Sequence, residues 1–373
     1  MATPEPTIAQ RRQPLAAGDP APWFRAPALS GSPAYQFDTV AGRHVLMLFF
    51  GSARPEPSAE ALALVARHRG LFDDRAACFF GISIDPDDVA QQRIAQQIPG
   101  IRFFLDHDRA VSTLYGAIEG EQYLPHWLVL DPALRVVGRF RLTEGEAAIA
   151  LLRAHATAAP ADLWAPVLLV PDVLEPALCA DLIGRYEADG GTPSGFMREV
   201  DGKTVLQVDP FHKQRRDWMI DDAALCQALA GRIRRRLNPA VEHAFQFRPT
   251  RIERYIVSCY DAGAGHFRAH RDNTTKGTAH RKFAVTVNLN AGDYEGGDLR
   301  FPEYGARTYR APTGGAIVFS CSLLHEATPV TEGRRFAFLP FLYDEEGARL
   351  REANNPHLGE GVGEYRMGGE APG

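Results

Sequence analysis

Residues 263–274 read GAGHFRAHRDNT, and His270 and Asp272 within them offer an imidazole and a carboxylate one residue apart. An HxD triplet by itself is a weak signal, and the plain alternative is a solvated polar loop. Three further features raise its meaning. The triplet follows the strand-like run RIERYIVSCY, which ends in a glycine-containing turn, so it sits at a strand edge. His325 follows in FSCSLLHEATPV, just beyond another strand-like run, and Arg335 lies ten residues after it in RRFAFLPFLY. Two imidazoles and one carboxylate can hold Fe(II) from one side and leave its other positions open. Zinc fits the same trio, so the ligands alone do not fix the metal. The open positions can chelate a 2-oxoacid through its 1-carboxylate and 2-keto oxygen. A far carboxylate on that acid would need a buried cation, and arginine suits it, because its planar fork pairs bidentately and stays charged. Period-two alternation puts Arg335, Ala337 and Leu339 on one face of this strand, and Arg334, Phe336 and Phe338 on the other. The small Ala337 leaves room for a ligand, so Arg335 is the preferred anchor.

The elements that must position these groups are short strands. From 250 to 345 the runs RIERYIVSCY, KFAVTVNLN, GDLRFP, GGAIVFS and RRFAFLPFLY are parted by Gly, Pro, Asn and Asp, a spacing that predicts an all-β sandwich or barrel. Ahead of them, residues 165–191 read as a strand, a turn and an amphipathic helix. Residues 221–239 read as a second helix that ends at Asn238-Pro239. Thr286 and Asn288 form the polar face of FAVTVNL. His266 and His280 flank the triplet as loop histidines, and Asn273 reads as a turn residue rather than a ligand.

With these pieces in order, Tyr260, the HxD triplet, YEGGDLRFPE, the VFS strand, His325 and Arg335, residues 164–345 resemble the prolyl-4-hydroxylase-type Fe(II)/2-oxoglutarate-dependent dioxygenases. The resemblance covers about half the chain. It implies a double-stranded β-helix (jelly roll) with flanking helices. It implies that His270, Asp272 and His325 bind iron and that Arg335 anchors the 5-carboxylate of 2-oxoglutarate. Tyr260 falls where the family often places a tyrosine near the co-substrate. Asn288 falls where prolyl hydroxylases often carry a tyrosine that touches the same carboxylate, which is a departure from the pattern. The implied reaction consumes O2, converts 2-oxoglutarate to succinate and CO2, and hydroxylates a substrate carbon, with ascorbate as a candidate reductant. The substrate class is open: a small molecule, an amino acid or a peptide or protein.

The first half alternates differently. HVLMLFF (44–50) and AACFFGISI (76–84) are continuous apolar runs of the kind buried on both faces, and PSAEALALVARHRGLF (57–72) between them has helical spacing. DPDDVAQQRIAQQI (85–98) reads as a helix opened by an acidic turn, and HWLVLD and RVVGRFRL read as a strand pair. This order predicts an α/β sheet layered with helices. Residues 14–145 resemble the peroxiredoxin branch of the thioredoxin-like fold, on LAAGDPAPWFRAPALSG, the strand-helix pair after it and YLPHWLVLDPALRVVGRF. The resemblance implies a cis proline before the last strand pair, at Pro125. Its chemistry does not carry over. The helix start that should lower a thiol pKa holds Pro57 and Ser58 instead of cysteine. Cys78 lies in an apolar run and reads as a buried, inert thiol. Thiol peroxidase activity is therefore disfavoured, and a scaffold, dimerisation or substrate-holding role is expected.

The expected organisation is an N-terminal segment 1–13, a peroxiredoxin-like domain 14–145, a linker 146–162, a dioxygenase domain 163–346 and a tail 347–373. The formal charge of −5 argues against nucleic acid as the main partner. No run is apolar enough to span a membrane or to serve as a secretory signal. Five cysteines without a CxxC fit reduced thiols in a cytoplasm. A homodimer is expected only by analogy with redoxin-like domains. The alternative function is a non-catalytic iron and 2-oxoglutarate sensor or adaptor, motivated by the missing thiol of the first half.

Overall fold

The structure, a computed structural model, describes residues 14–159 and 163–368. The expected segment 1–13, the end of the expected linker and the last five residues of the tail lie outside the described residues. The chain divides into two compact units: the first runs to Ala161 and includes Pro302–Gly305, and the second holds Asp162–Phe301 and the chain from Ala306 on.

The first unit is built on a five-stranded mixed sheet in the order 101–105, 77–83, 44–51, 126–130, 136–141. His44–Gly51 pairs in parallel with Ala77–Ser83 and antiparallel with His126–Leu130. Both central strands are buried along almost their whole length, which is why they read as unbroken apolar runs rather than alternating ones. The helices Glu56–Arg67 and Gly145–Thr157 bury Leu64, Val65, Ala148, Ile149 and Leu152 against Leu46, Leu48 and Trp127. The expected linker thus begins inside a core-packed helix.

Two expectations fail here. The run 85–98 is not one helix: helix covers only Asp87–Ala90. Asp88 is buried and accepts hydrogen bonds from the Ala53 N–H, Ser83 Oγ and Arg93, so its carboxylate ties this turn to the sheet. Gln92 then turns through a positive φ of 53° and ends the helix. The cis peptide bond among the described residues is Ile98–Pro99, and the bond before Pro125 is trans. There the Leu124 N–H is held by the Ala117 carbonyl and the next strand starts directly at His126.

Among its described residues the second unit has two large sheets and a separate hairpin, Phe196–Val200 with Lys203–Gln207. The larger, of ten strands, runs along the path 168–170, 316–320, 283–288, 330–338, 256–261, 216–219, 192–193, with further strands branching from it. The smaller has five strands in the order 213–214, 266–270, 325–327, 299–300, 308–309. Alternation sorts the faces of the larger sheet. Val257, Cys259, Val285, Val287, Phe336 and Phe338 join a core with the helices Pro176–Asp189, Ala223–Arg232 and Asn238–Phe245. Their neighbours Tyr260, Ala284, Thr286, Arg335 and Leu339 line a cavity, which Val285 also borders.

Asn238-Pro239 does not end the second helix. A π-helical turn over Ile233–Leu237 leads directly into Asn238–Phe245, and Pro239 occupies the first turn of that helix. Proline is tolerated there because the first N–H groups of a helix have no intrahelical acceptor. RIERYIVSCY is likewise two strands, Arg251–Glu253 and Ile256–Asp261, broken at Arg254. The expected tail opens within the helix Glu345–Ala353, and Leu358 bridges to Thr204. Among the described residues no helix is long and apolar enough to cross a membrane.

Candidate metal centre and its cavity

His270 ends the strand His266–His270 and is the direct cross-strand partner of His325, which begins His325–Ala327. Asp272 follows two residues after His270. Its N–H donates to the Cys321 carbonyl at 2.9 Å, and its own carbonyl accepts from Arg281 Nη1 at 3.2 Å. The backbone on both sides of the carboxylate is therefore fixed. The result is one cluster. His270 Nε2 lies 3.5 Å from Asp272 Oδ1, and His325 Nε2 lies 3.3 Å from Asp272 Oδ2. One ligand atom from each of the three lies within 4.8 Å of the others.

The ring orientation is set from behind. His270 Nδ1 meets the Arg268 carbonyl at 2.7 Å, and His325 Nδ1 meets the Leu323 carbonyl at 3.0 Å. A carbonyl can only accept, so each Nδ1 carries a proton, and in the neutral ring Nε2 is then the atom whose lone pair faces the cluster. Phe267 stacks on His270 with ring centroids 3.5 Å apart, and Phe319 lies 4.6 Å from the His325 ring. Burial, aided by the neighbouring His325, pulls the His270 pKa down to about 4. Burial pushes the Asp272 carboxyl up, but His325 and His270 outweigh it and hold it well below the usual carboxylate range. A neutral imidazole and an ionised carboxylate are the protonation states that a divalent cation needs.

The preferred arginine lies in the same cavity. Arg335 is 2% exposed, and its Nε and Nη1 have no hydrogen-bond partner among the described residues. Its guanidinium stands 4.9 Å from the Tyr260 ring. Arg334 faces away, with a side chain 45% exposed, and pairs with Glu187 and Asp261. The glycine pair of YEGGDL makes room for Arg335. Gly296 and Gly297 both have φ near +70°, and a Cβ on Gly297 would sit 3.1 Å from Arg335 Cδ and 2.8 Å from Val330.

The structure places the other candidates unequally. Tyr260 lines the cavity, and its hydroxyl accepts a 3.0 Å hydrogen bond from Arg215, which is itself paired with Asp217. Asn288 does not line it. Its Nδ2 donates to the Ala311 carbonyl at 2.8 Å, at the end of its strand, while Thr286 two residues earlier is the polar residue on the cavity wall. His280 lies in a turn, as expected of a loop histidine, and is buried against Glu253 at 2.8 Å, whereas His266 lies in a strand with Nδ1 on the Ala264 carbonyl. Asn273 donates to Ser322 Oγ at 2.8 Å.

Several groups escaped the sequence. Arg215 and Arg254 also line the cavity. The buried Tyr294 hydroxyl, without a hydrogen-bond partner among the described residues, is close enough to Arg335 for the guanidinium to counter the rise that burial imposes on its pKa. Glu253 grips Arg281 through two hydrogen bonds of 2.9 and 2.6 Å, which holds Arg281 against the Asp272 carbonyl. Tyr294 stands in YEGGDLRFPE and Glu253 and Arg254 in RIERYIVSCY, runs that the sequence singled out without giving these residues a role. The arginines lie far from the HxD triplet or in a strand break that no local signal marks.

In the first unit, the position where a reactive thiol would sit holds Pro57, exposed, and Ser58, buried with its hydroxyl on the Phe50 carbonyl. Cys78 is fully buried, and burial pushes its thiol up to about 12. All five cysteines are free thiols.

Residues 255–343 match the family model of the 2OG-Fe(II) oxygenase superfamily, and residues 17–139 match that of the AhpC/TSA family. A PKHD-type hydroxylase of Synechococcus sp. is 34% identical over 96 residues, which are 24% of this chain and 42% of that protein. The chain thus spans less than half the length of that relative. A PKHD-type hydroxylase of Bordetella pertussis is 29% identical over 196 residues, covering 49% of this chain and 82% of that one. Among solved structures, a Pseudomonas putida prolyl-4-hydroxylase aligns over 48% of this chain and 93% of its own at 21% identity, with a TM-score of 0.38. The bacterioferritin comigratory protein of Xanthomonas campestris aligns over 36% of this chain and 92% of its own at 19% identity, with a TM-score of 0.31.

Proposed function

We propose that the second unit is an Fe(II)- and 2-oxoglutarate-dependent dioxygenase that hydroxylates a substrate carbon, built on a double-stranded β-helix. One observation carries this reading. A His270–Asp272–His325 cluster shares a cavity with Arg335, a buried guanidinium that has two nitrogens without partners. A buried, unpaired charge is costly, and a carboxylate ligand removes the cost. The match to the oxygenase family model spans all four residues.

The donor set fits the metal. His270 Nε2, His325 Nε2 and one Asp272 oxygen would hold it, and three positions would stay free. Bound there, Fe(II) with 2-oxoglutarate and O2 supplies the oxidising equivalent, and ascorbate would serve to keep the iron reduced. The protein's own residues bind and orient. Arg335, with the Tyr294 hydroxyl beside it, takes the far carboxylate of 2-oxoglutarate through charge-assisted hydrogen bonds. Arg215 fixes the Tyr260 hydroxyl, which keeps that ring against Arg335. Leu299, Phe319 and Ala327 line the cavity with apolar surface and exclude water from the reacting atoms.

The test is direct. The protein is loaded with Fe(II) without oxygen, given 2-oxoglutarate, then exposed to O2, and succinate is measured beside Asp272→Ala. Succinate from the wild type and none from the variant supports the dioxygenase. Tight binding of iron and 2-oxoglutarate with no succinate under any added compound would favour a sensor. The first unit then serves as a scaffold or substrate holder, since its thiol position is filled by Pro57 and Ser58.

A further inference from the structure

The cavity carries a second cation without a counter-ion. Arg254 lies on its wall, at the break between Arg251–Glu253 and Ile256–Asp261. Its φ is 53°, in the left-handed region. That conformation is costly for a residue with a side chain and tends to be kept at functional positions. The break turns Arg254 out of strand alternation and onto the cavity wall.

Its guanidinium is held but not neutralised. Arg254 Nε donates to the Leu339 carbonyl at 3.4 Å, and neither terminal nitrogen has a hydrogen bond among the described residues. Its chain neighbour Glu253 is fully occupied by Arg281 and His280. The Phe341 ring lies 4.3 Å from the Arg254 guanidinium and 4.1 Å from that of Arg281, so stacking fixes the direction of the fork. Burial, then the nearby Arg281 and Arg215, pull the Arg254 pKa down to about 10, which still leaves it charged near neutral pH.

We infer that Arg254 is the docking point for a carboxylate on the substrate that is oxidised. The inference rests on the dioxygenase reading of this cavity. Arg335, beside Tyr260 and Tyr294, accounts for one anion. Arg254, beside Leu339 and Phe341, accounts for a second in the same cavity. Two terminal N–H groups in one plane match a carboxylate bidentately. The substrate class is therefore a small organic acid, an amino acid or a chain that presents a carboxylate to the cavity. A neutral peptide segment gives Arg254 no partner.

The test uses the full chain loaded with Mn(II), a redox-silent paramagnetic ion, and saturated with 2-oxoglutarate, with binding of both verified by calorimetry. Carboxyl-13C acetate and carbonyl-13C acetamide are then titrated separately, and the relaxation that Mn(II) causes in each is measured. In the wild type acetate should bind roughly tenfold tighter than acetamide, as expected for a charge-assisted pair. Arg254→Gln should abolish that preference. Arg254→Lys, which keeps the charge but not the fork, should retain part of it. Melting curves of both variants report folding, and Arg254→Lys decides the matter if Arg254→Gln is unfolded. Equal relaxation of the two probes in the wild type would overturn the assignment, as would an unchanged acetate preference in a folded Arg254 variant. Failure of Mn(II) or 2-oxoglutarate to bind would overturn the dioxygenase reading itself, and the assignment with it.

Discussion

His270 and His325 are cross-strand partners whose rings stand 4.3 Å apart, each with its Nδ1 on the carbonyl two residues before it. The same local device thus aims both Nε2 atoms at Asp272. The pairing explains how residues 55 positions apart become one donor set: the strand register brings them face to face, and the backbone on each side fixes the ring.

Metal should therefore stabilise the fold. A ligand present at 100 times its Kd adds about 2.7 kcal/mol to the folded state. Mn(II) should raise the Tm of the wild type by several degrees, and a chelator should reverse the rise. Asp272→Ala should show neither effect. A metal-induced shift of equal size in Asp272→Ala would place the metal elsewhere.

Arg335 makes opposite predictions for stability and for binding. With Nε and Nη1 unpartnered, the buried guanidinium destabilises the ligand-free protein. Arg335→Met should leave the ligand-free Tm unchanged or raise it by a few degrees. The same variant should weaken 2-oxoglutarate binding by roughly 10- to 100-fold, the loss of one or two charge-assisted hydrogen bonds. Calorimetry and melting on one preparation measure both, and a sharp fall in the ligand-free Tm would show that Arg335 has a structural partner.

Glu253 should behave as a structural carboxylate. Glu253→Ala leaves the Arg281 charge buried without its partner, a loss of about 3–5 kcal/mol. The pH dependence has a definite sign. Burial pushes the Glu253 carboxyl up, but Arg281 and His280 outweigh it and hold it well below its usual 4.5. A carboxyl depressed in the folded state stabilises it above the unfolded pKa, and that stability is lost as pH falls below about 4.5. Denaturant midpoints between pH 6 and pH 3 should fall less steeply for Glu253→Gln than for the wild type.

Cys78 should be silent. A thiol pushed up to about 12 and fully buried has almost no thiolate at neutral pH. Iodoacetamide should label it only after unfolding, as read by mass spectrometry, and Cys78→Ser should leave peroxide consumption unchanged. Rapid labelling of Cys78 in the folded protein would reopen a thiol role.

The sequence named His270, Asp272, His325 and Arg335 before any geometry, and all four line one cavity. It did so because each lies at the end of, or within, a strand whose apolar alternation is strong, and because their residue types belong to one chemistry. Alternation also separated Arg335 from Arg334 correctly, since a β-strand sends neighbouring side chains to opposite faces. The long buried strands 44–51 and 77–83 were legible for a similar reason: a strand covered on both faces has few polar residues to obscure it.

What alternation cannot show is where a strand breaks or which distant residues share a cavity. The kink at Arg254, the π turn before Pro239 and the short helix at Asp87–Ala90 all fall in stretches whose sequences look regular. Asn288 shares the polar face of its strand with Thr286, as expected, yet it bonds to Ala311 at the strand end while Thr286 meets the cavity. The sequence alone singled out His270, Asp272, His325 and Arg335 as candidates, because their residue types and local period belong to one chemistry. Only the tertiary structure decided that Tyr294, Arg215 and Arg254 lie beside them, because those contacts form between strands far apart in the chain, and local periodicity carries no information about which strands pair.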